Sequence, residues 1–291
     1  MEQPLRFGIC TDPNLTWQKN VERWRLVEEL GFDSAWNSDH LIDPNQQNGP
    51  YFEAWTNLAG LAAVTTRIRI GCLVTSNTFR HPVILAKMAV SVDHISSGRL
   101  DIGLGAGWYQ AEHDMFGIEF PEKGELISRF REAVQLIDTL LRNGTSTFEG
   151  KYYQVNEAIM RPAPVQKPRP PLVIGAKKPR MLMICAQYAD TWNSSGTADE
   201  LRERNQILTE YCTVIGRDPG SIRRSMYYWV PPKRSEDPWD SVDAFQEVIG
   251  RYREAGINEF IIDYPREERE PVLERVAAEV IPKLRASSVT G

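Results

Sequence analysis

Apolar residues along the chain fall into two kinds of run that alternate from end to end. Short runs, dense in Ile, Val, Leu, Phe and Cys, read as strands at Leu5–Cys10, Asp33–Asn37, Ile68–Val74, Leu100–Leu104, Leu172–Ile174, Thr191–Asn193, Arg223–Val230 and Glu259–Asp263. Between them the apolar positions return every three or four residues, the period of a helix with one buried face. These stretches are Trp17–Leu30, Glu53–Thr65, Pro82–Ile95, Glu125–Leu141, Pro179–Tyr188, Ala198–Ile215, Ser241–Ala255 and Glu268–Leu284. Strict alternation of strand and helix predicts a parallel sheet with helical crossovers. Eight repeats of it predict an α/β fold of the closed (β/α)8 type, a TIM barrel with insertions. A doubly wound open sheet is the alternative. One domain over residues 1–291 is expected, since barrels reach this length as single units.

Local signals support the element count. Gly31 and Gly216 stand where helices should stop, Pro82 suits a first helical turn, and Asp199 and Glu200 suit the positive end of another. Asp218-Pro219-Gly220 reads as a turn. Two connections are long. Ser38 to Phe52 follows the second strand, on the face where barrel active sites lie. Asn143 to Pro171 holds a hairpin-like TSTFEGKYYQV and a Pro-rich return, and should start from the opposite face with a structural role.

Composition adds mainly exclusions. A net charge of −5 gives no basis for nucleic-acid or membrane-surface binding, and no apolar run approaches a bilayer span of roughly 18 residues. MEQP leads straight into a strand-like run without a secretory pattern, so a cytoplasmic protein is expected. Cys10, Cys72, Cys185 and Cys212 form no CxxC pair and read as buried reduced thiols. His40, His81, His94 and His113 show no metal-ligand spacing, so no metal is expected.

The candidate chemistry gathers at strand ends, as a barrel requires. The most specific stretch is GRLDIGLGAGWYQAEHDMFG at 98–117, where a buried strand runs into Gly105-Ala106-Gly107 and then Trp108-Tyr109. Small residues let a flat ligand or phosphate approach the backbone, and aromatics offer a wall for a planar ring. Gly175-Ala176-Lys177-Lys178-Pro179-Arg180 precedes a helix and suits a phosphate, or is a solvated basic turn. His40, after Asp39, is a general acid or ring hydrogen-bond donor, or a loop cap. His81 and His94 read as structural, whereas His113 is open between pocket rim and solvent.

Together these pieces resemble the bacterial-luciferase-like superfamily of flavin- and deazaflavin-dependent oxidoreductases. The resemblance is carried by GFDSAWNSDHL at 31–41, the block from Thr65 to Trp108, EHDMFGIEFP at 112–121, YADTWN at 188–193 and the tail ERVAAEVIPKL. It implies a luciferase-like (β/α)8 barrel with a cofactor ring in its mouth. GAGW and EYCTVIGRDPGSI look most like members that use coenzyme F420, with FMN as the alternative. It further implies a role for His40 at the reactive face of the ring as hydrogen-bond or proton donor, with Asp39 orienting the loop or the histidine. A non-proline cis peptide is implied at Leu73–Val74, backing the ring with Thr75 beside it. Gly105, Ala106, Gly107 and Trp108 would lie near the cofactor, as would Gly175, Ala176 and Lys177. GAKK departs from the family's glycine-rich turn, which leaves the phosphate contacts open. Trp108 stands where a related sugar-phosphate dehydrogenase has glutamate, which disfavours a sugar phosphate. Trp108, Tyr109 and Trp229 suggest an apolar pocket, and Glu112 and His113 are second-tier candidates at its rim. The implied reaction is hydride transfer between F420 and a small apolar or conjugated substrate. An FMN-dependent monooxygenase and a non-enzymatic cofactor carrier are the alternatives. A homodimer is expected by analogy of fold.

Overall fold

The computed structural model describes residues 3–44, 46–230 and 236–287. Its main sheet closes on itself. Strands β1 (Arg6–Cys10), β2 (Ser34–Asn37), β3 (Arg69–Cys72), β4 (Thr75–Ser76), β5 (Leu100–Gly105), β8 (Leu172–Gly175), β9 (Thr191–Ser194), β10 (Arg223–Tyr228) and β11 (Glu259–Asp263) pair in parallel, with β3 and β4 forming one interrupted stave. β3 pairs with β2 on one side and β5 on the other, and β11 returns to β1. The result is an eight-staved (β/α)8 barrel. Helices α1 (Trp17–Glu29), α2 (Ala54–Val64), α3 (Pro82–Ile95), α5 (Lys123–Arg142), α6 (Pro179–Tyr188), α7 (Ala198–Val214) and α8 (Val242–Glu254) cover the outside. Among the described residues no helix is long and apolar enough to cross a membrane.

Local chemistry explains the boundaries. Thr197 accepts from Glu200 N, and Glu200 reaches back to Thr197 N, a capping box that opens α7. His81 caps α3 by accepting from Val83 N at 3.2 Å, with Pro82 at the first helical position. Gly31 takes φ +83° just past α1, a conformation glycine adopts without steric cost.

Side chains alternate along each stave, so every second residue points into the barrel. Two filled levels lie below the mouth. The lowest is charged: Arg69 pairs with Asp101 at 2.5 Å, and buried Glu259 lies in the field of Arg223 and Arg6. Above it Trp36 fills the lumen, donating to Ser34 Oγ at 2.8 Å. A Cβ at Gly71 would strike Trp36 and one at Gly8 would strike Ser34 Oγ, the acceptor of the Trp36 bond. Trp36 joins Cys10, Leu73, Val173 and Ile261 in an apolar cluster that forms the floor of the open end. All four cysteines are buried.

Four features differ from the sequence reading. The third predicted strand, Ile68–Val74, breaks after Cys72 and resumes at Thr75, with Leu73 and Val74 between the segments. A short helix, α4 (Gln110–Phe116), follows the glycine turn. The predicted helix Glu268–Leu284 is a 3-10 turn, α9 (Glu270–Arg275), a π segment at Val276–Val280 and α10 (Ile281–Ser287). Pro282 has no N–H for the carbonyl four residues back, which accounts for the widened turn before it. The hairpin of β6 (Thr145–Glu149) and β7 (Gln154–Ile159) also extends further than expected. Its tip bonds to Glu132 halfway along α5, and Tyr153 reaches the loop beyond β4, accepting from Asn77 and meeting the edge of His81.

Candidate active site

The C-terminal ends of the staves form the mouth of the barrel. Its best-defined polar element is His40, on the loop after β2. Glu112 Oε1 lies 3.0 Å from His40 Nδ1, and Glu112 Oε2 accepts from Leu41 N at 2.9 Å. A carboxylate can only accept, so Nδ1 carries the proton and Nε2 is left as the working nitrogen. Among the described residues Nε2 has no hydrogen-bond partner. Trp108 stands edge-on to the His40 ring at 5.7 Å, and Tyr109 stacks on Trp108 at 5.1 Å.

Glu112 and His113 were expected at the rim, but the structure places them beneath it. Glu112 is 2% exposed and fully engaged, and α4 supplies it. His113 is wholly buried: Nδ1 faces the Tyr109 carbonyl at 2.9 Å and Nε2 the Thr78 hydroxyl at 2.6 Å. It ties α4 to the loop after β4 and offers no free nitrogen.

Asp39 likewise has no oxygen to spare. It accepts from Ser76 N at 2.8 Å and pairs twice with Arg80, at 2.5 and 2.8 Å. It ties the end of β2 to β4 and to Arg80 in the loop beyond, and makes no bond to His40. The Thr75 hydroxyl accepts from Trp55 at 3.1 Å, which turns it toward α2.

The Leu73–Val74 peptide is cis. Leu73 belongs to the floor, and Val74 projects between β5 and β8. A Cβ at Gly105 would lie 2.5 Å from Val74 Cγ2, and one at Gly175 3.2 Å from the same atom. These glycines leave the space that Val74 fills. At Gly107 the backbone has φ +92°, and a Cβ would meet the Thr78 and Ser76 hydroxyls at 2.8 and 2.9 Å. Ala106 and Ala176 pack with the core outside the lumen, while Val74, with Gly105 and Gly175 on either side of it, makes this half of the mouth small and apolar. At its edge Lys177 lies near Arg204, which bonds to Ser194 Oγ and Ser195 O. Partial burial, then the charge of Arg204, lowers the Lys177 pKa from the ordinary lysine range. Helix α6 begins here at Lys178 and Pro179 with no side-chain cap. Trp108 and Trp229 are 68% and 48% exposed at the rim.

The sequence reading left out the ends of the first and eighth strands. Asp12, just past β1, accepts from the Ser38 hydroxyl, and Ser38 in turn contacts the Tyr51 hydroxyl. Asp263, ending β11, accepts from Tyr227 at 2.6 Å and from Val230 N at 2.8 Å. Burial pushes the Asp263 carboxyl up to about 7 and raises that of Asp12. The available signal was positional: Cys10 points inward, so Asp12 does too, and Asp263 closes its strand.

Residues 5–279 match the luciferase-like monooxygenase family, and the chain belongs to it. An F420-dependent glucose-6-phosphate dehydrogenase of Microbacterium testaceum is 27% identical, with 98% of this chain and 99% of the relative aligned. The pyrimidine monooxygenase RutA of a Bradyrhizobium species is 35% identical over 71% of this chain and 59% of its own length. Among solved structures, an F420-dependent secondary alcohol dehydrogenase bound to an F420–acetone adduct superposes with a TM-score of 0.86. It shares 20% identity, covering 97% of this chain and 99% of that one. The monooxygenase RslO1 from Streptomyces bottropensis gives 0.75 at 20% identity, covering 96% and 99%.

Proposed function

We propose that this chain is an oxidoreductase that uses coenzyme F420 and moves a hydride between that cofactor and a small organic substrate, with His40 handling the accompanying proton. The observation that carries the reading is His40 Nε2, left unpartnered while Glu112 holds Nδ1.

The residues of the mouth suit such a cofactor. Val74, flanked by Gly105 and Gly175, gives a small apolar wall for a ring. Lys177, Arg204 and the uncapped start of α6 gather positive potential where an anionic phosphodiester tail would end. When bound, a deazaflavin supplies a ring carbon that gives or accepts a hydride; the organic chemistry belongs to the cofactor. The chain supplies the rest. Glu112 fixes the His40 tautomer and ring orientation. His40 Nε2 takes a proton from the substrate as hydride leaves it, or returns one in the reverse direction, a contribution of about 10²–10⁴-fold. Trp108 and Tyr109 flank the histidine and exclude water from one side.

Two of the similar proteins are monooxygenases, which keeps FMN as the second reading. Fluorescence titration of the apo-protein with F420 and with FMN separates them. Micromolar or tighter F420 binding with FMN much weaker is expected. FMN preference, with oxygen uptake on reduction, overturns the F420 reading. A small-molecule substrate and a cytoplasmic homodimer complete the proposal.

A further inference from the structure

The mouth has two unlike halves. The half at β3, β4, β5 and β8 is small and apolar. The half at β1, β2, β10 and β11 carries Asp12, Ser38, Tyr51, Tyr227 and Asp263. Ser38 donates to Asp12 Oδ1, so the Ser38 oxygen is free to accept from Tyr51. Tyr51 also approaches Asp12 Oδ1 at 3.5 Å, so both hydroxyl protons run inward toward Asp12. The Tyr51 oxygen is then left with lone pairs, and Asp12 Oδ2 has no hydrogen-bond partner among the described residues. Tyr227 points its proton the same way, into Asp263. His40, edge-on to Tyr51 at 6.4 Å, presents Nε2 as a further acceptor.

We propose that Asp12, Ser38 and Tyr51 form an acceptor chain that receives a hydroxyl group of the substrate. The substrate is therefore a hydroxylated molecule, and not the purely apolar one that Trp108, Tyr109 and Trp229 suggested. Acceptors that a bound ligand covers and leaves unpaired penalise a ligand that cannot donate, which is how a polar site rejects an isostere. The inference rests on the proposed function only in taking the mouth as the substrate site.

Cyclohexanol and cyclohexanone are close in shape and differ in whether the oxygen can donate. Ligand-observed saturation-transfer NMR on the full chain, with and without F420, compares their binding. A preference for the alcohol of about tenfold is expected in the wild type. Asp12→Asn replaces an acceptor oxygen by a donor and should bring the ratio within about twofold of unity. Tyr51→Phe, which introduces no new donor, should lower it partway; circular dichroism checks that both variants are folded. Equal binding of the two probes, a preference that survives Asp12→Asn, or no transfer from either probe would overturn the inference. The comparison without cofactor separates its failure from that of the F420 reading, which the cofactor titration tests alone.

Discussion

Replacing Gly105 by alanine distinguishes two reasons for a glycine at the mouth. The new Cβ would sit 2.5 Å from Val74 Cγ2, about 1 Å inside ordinary carbon–carbon contact. Val74 is β-branched and stiff at χ1, and Gly175 borders it on the other side, where even one added carbon would lie 3.2 Å from it. Overpacking of this kind costs about 1–3 kcal/mol. For a chain of this length that is roughly 2–6 °C in melting temperature. Val74→Ala removes the clashing methyl, so the double variant should recover most of the Gly105→Ala loss. The coupling should be about 1–2 kcal/mol, within the range for residues in contact. Urea denaturation of the four proteins without cofactor measures it. If Gly105→Ala leaves stability unchanged within about 0.3 kcal/mol and only F420 affinity falls, the glycine exists for the cofactor and the Val74 argument is wrong.

Other expectations follow from the same geometry. His40→Ala should retain F420 binding and lose about 10²–10⁴-fold in turnover, whereas weaker binding with unchanged turnover would remove its proton role. Arg80→Met leaves the buried Asp39 carboxylate unpaired and should cost about 3–5 kcal/mol, read as a drop in melting temperature; a loss under about 1 kcal/mol would contradict a buried ion pair. Asp263 binds its proton more tightly folded than unfolded, so its contribution is complete below about pH 4 and is lost as pH rises toward 7. The stability of wild type relative to Asp263→Asn should therefore fall by about 2–3 kcal/mol from pH 4 to 7, after allowance for residual exposure, and a flat difference in urea melts would refute this. Lys177→Ala should weaken F420 about five- to tenfold and flatten the salt dependence; unchanged affinity would place that lysine in solvent.

Much of the scaffold was legible because its signals are local. Pro82 and Pro179 mark helix starts, and Pro82–Ile95 and Pro179–Tyr188 run as the periodicity predicts. Glu259–Asp263 coincides with its apolar run. Two misses came from short-range overrides: seven residues of α4 are too few to show a period, and Pro282 reshapes a helix whose pattern looks continuous. The site was legible only in part. His40 could be picked out by its place after a strand, but its partner Glu112 is 72 residues away, and nothing in either segment announces the pair. Gly105 and Gly175 carried a correct signal of close approach and concealed what approaches, since Val74 comes from another stave. Asp12 and Asp263 required the inward parity of strands whose ends looked unremarkable.

The charged lowest level of the barrel has a kinetic consequence. Arg69 with Asp101, and Glu259 near Arg223, close one end, and Trp36 fills the lumen above them. The barrel is thus a cup and not a pipe: whatever enters by the rim must leave by it. If the ring occupies the apolar wall next to the floor, the substrate lies over it and blocks its way out. Productive binding is then ordered, with cofactor first in and last out. A substrate bound to the empty cup bars the ring's way in, so excess substrate should inhibit and added cofactor should relieve it.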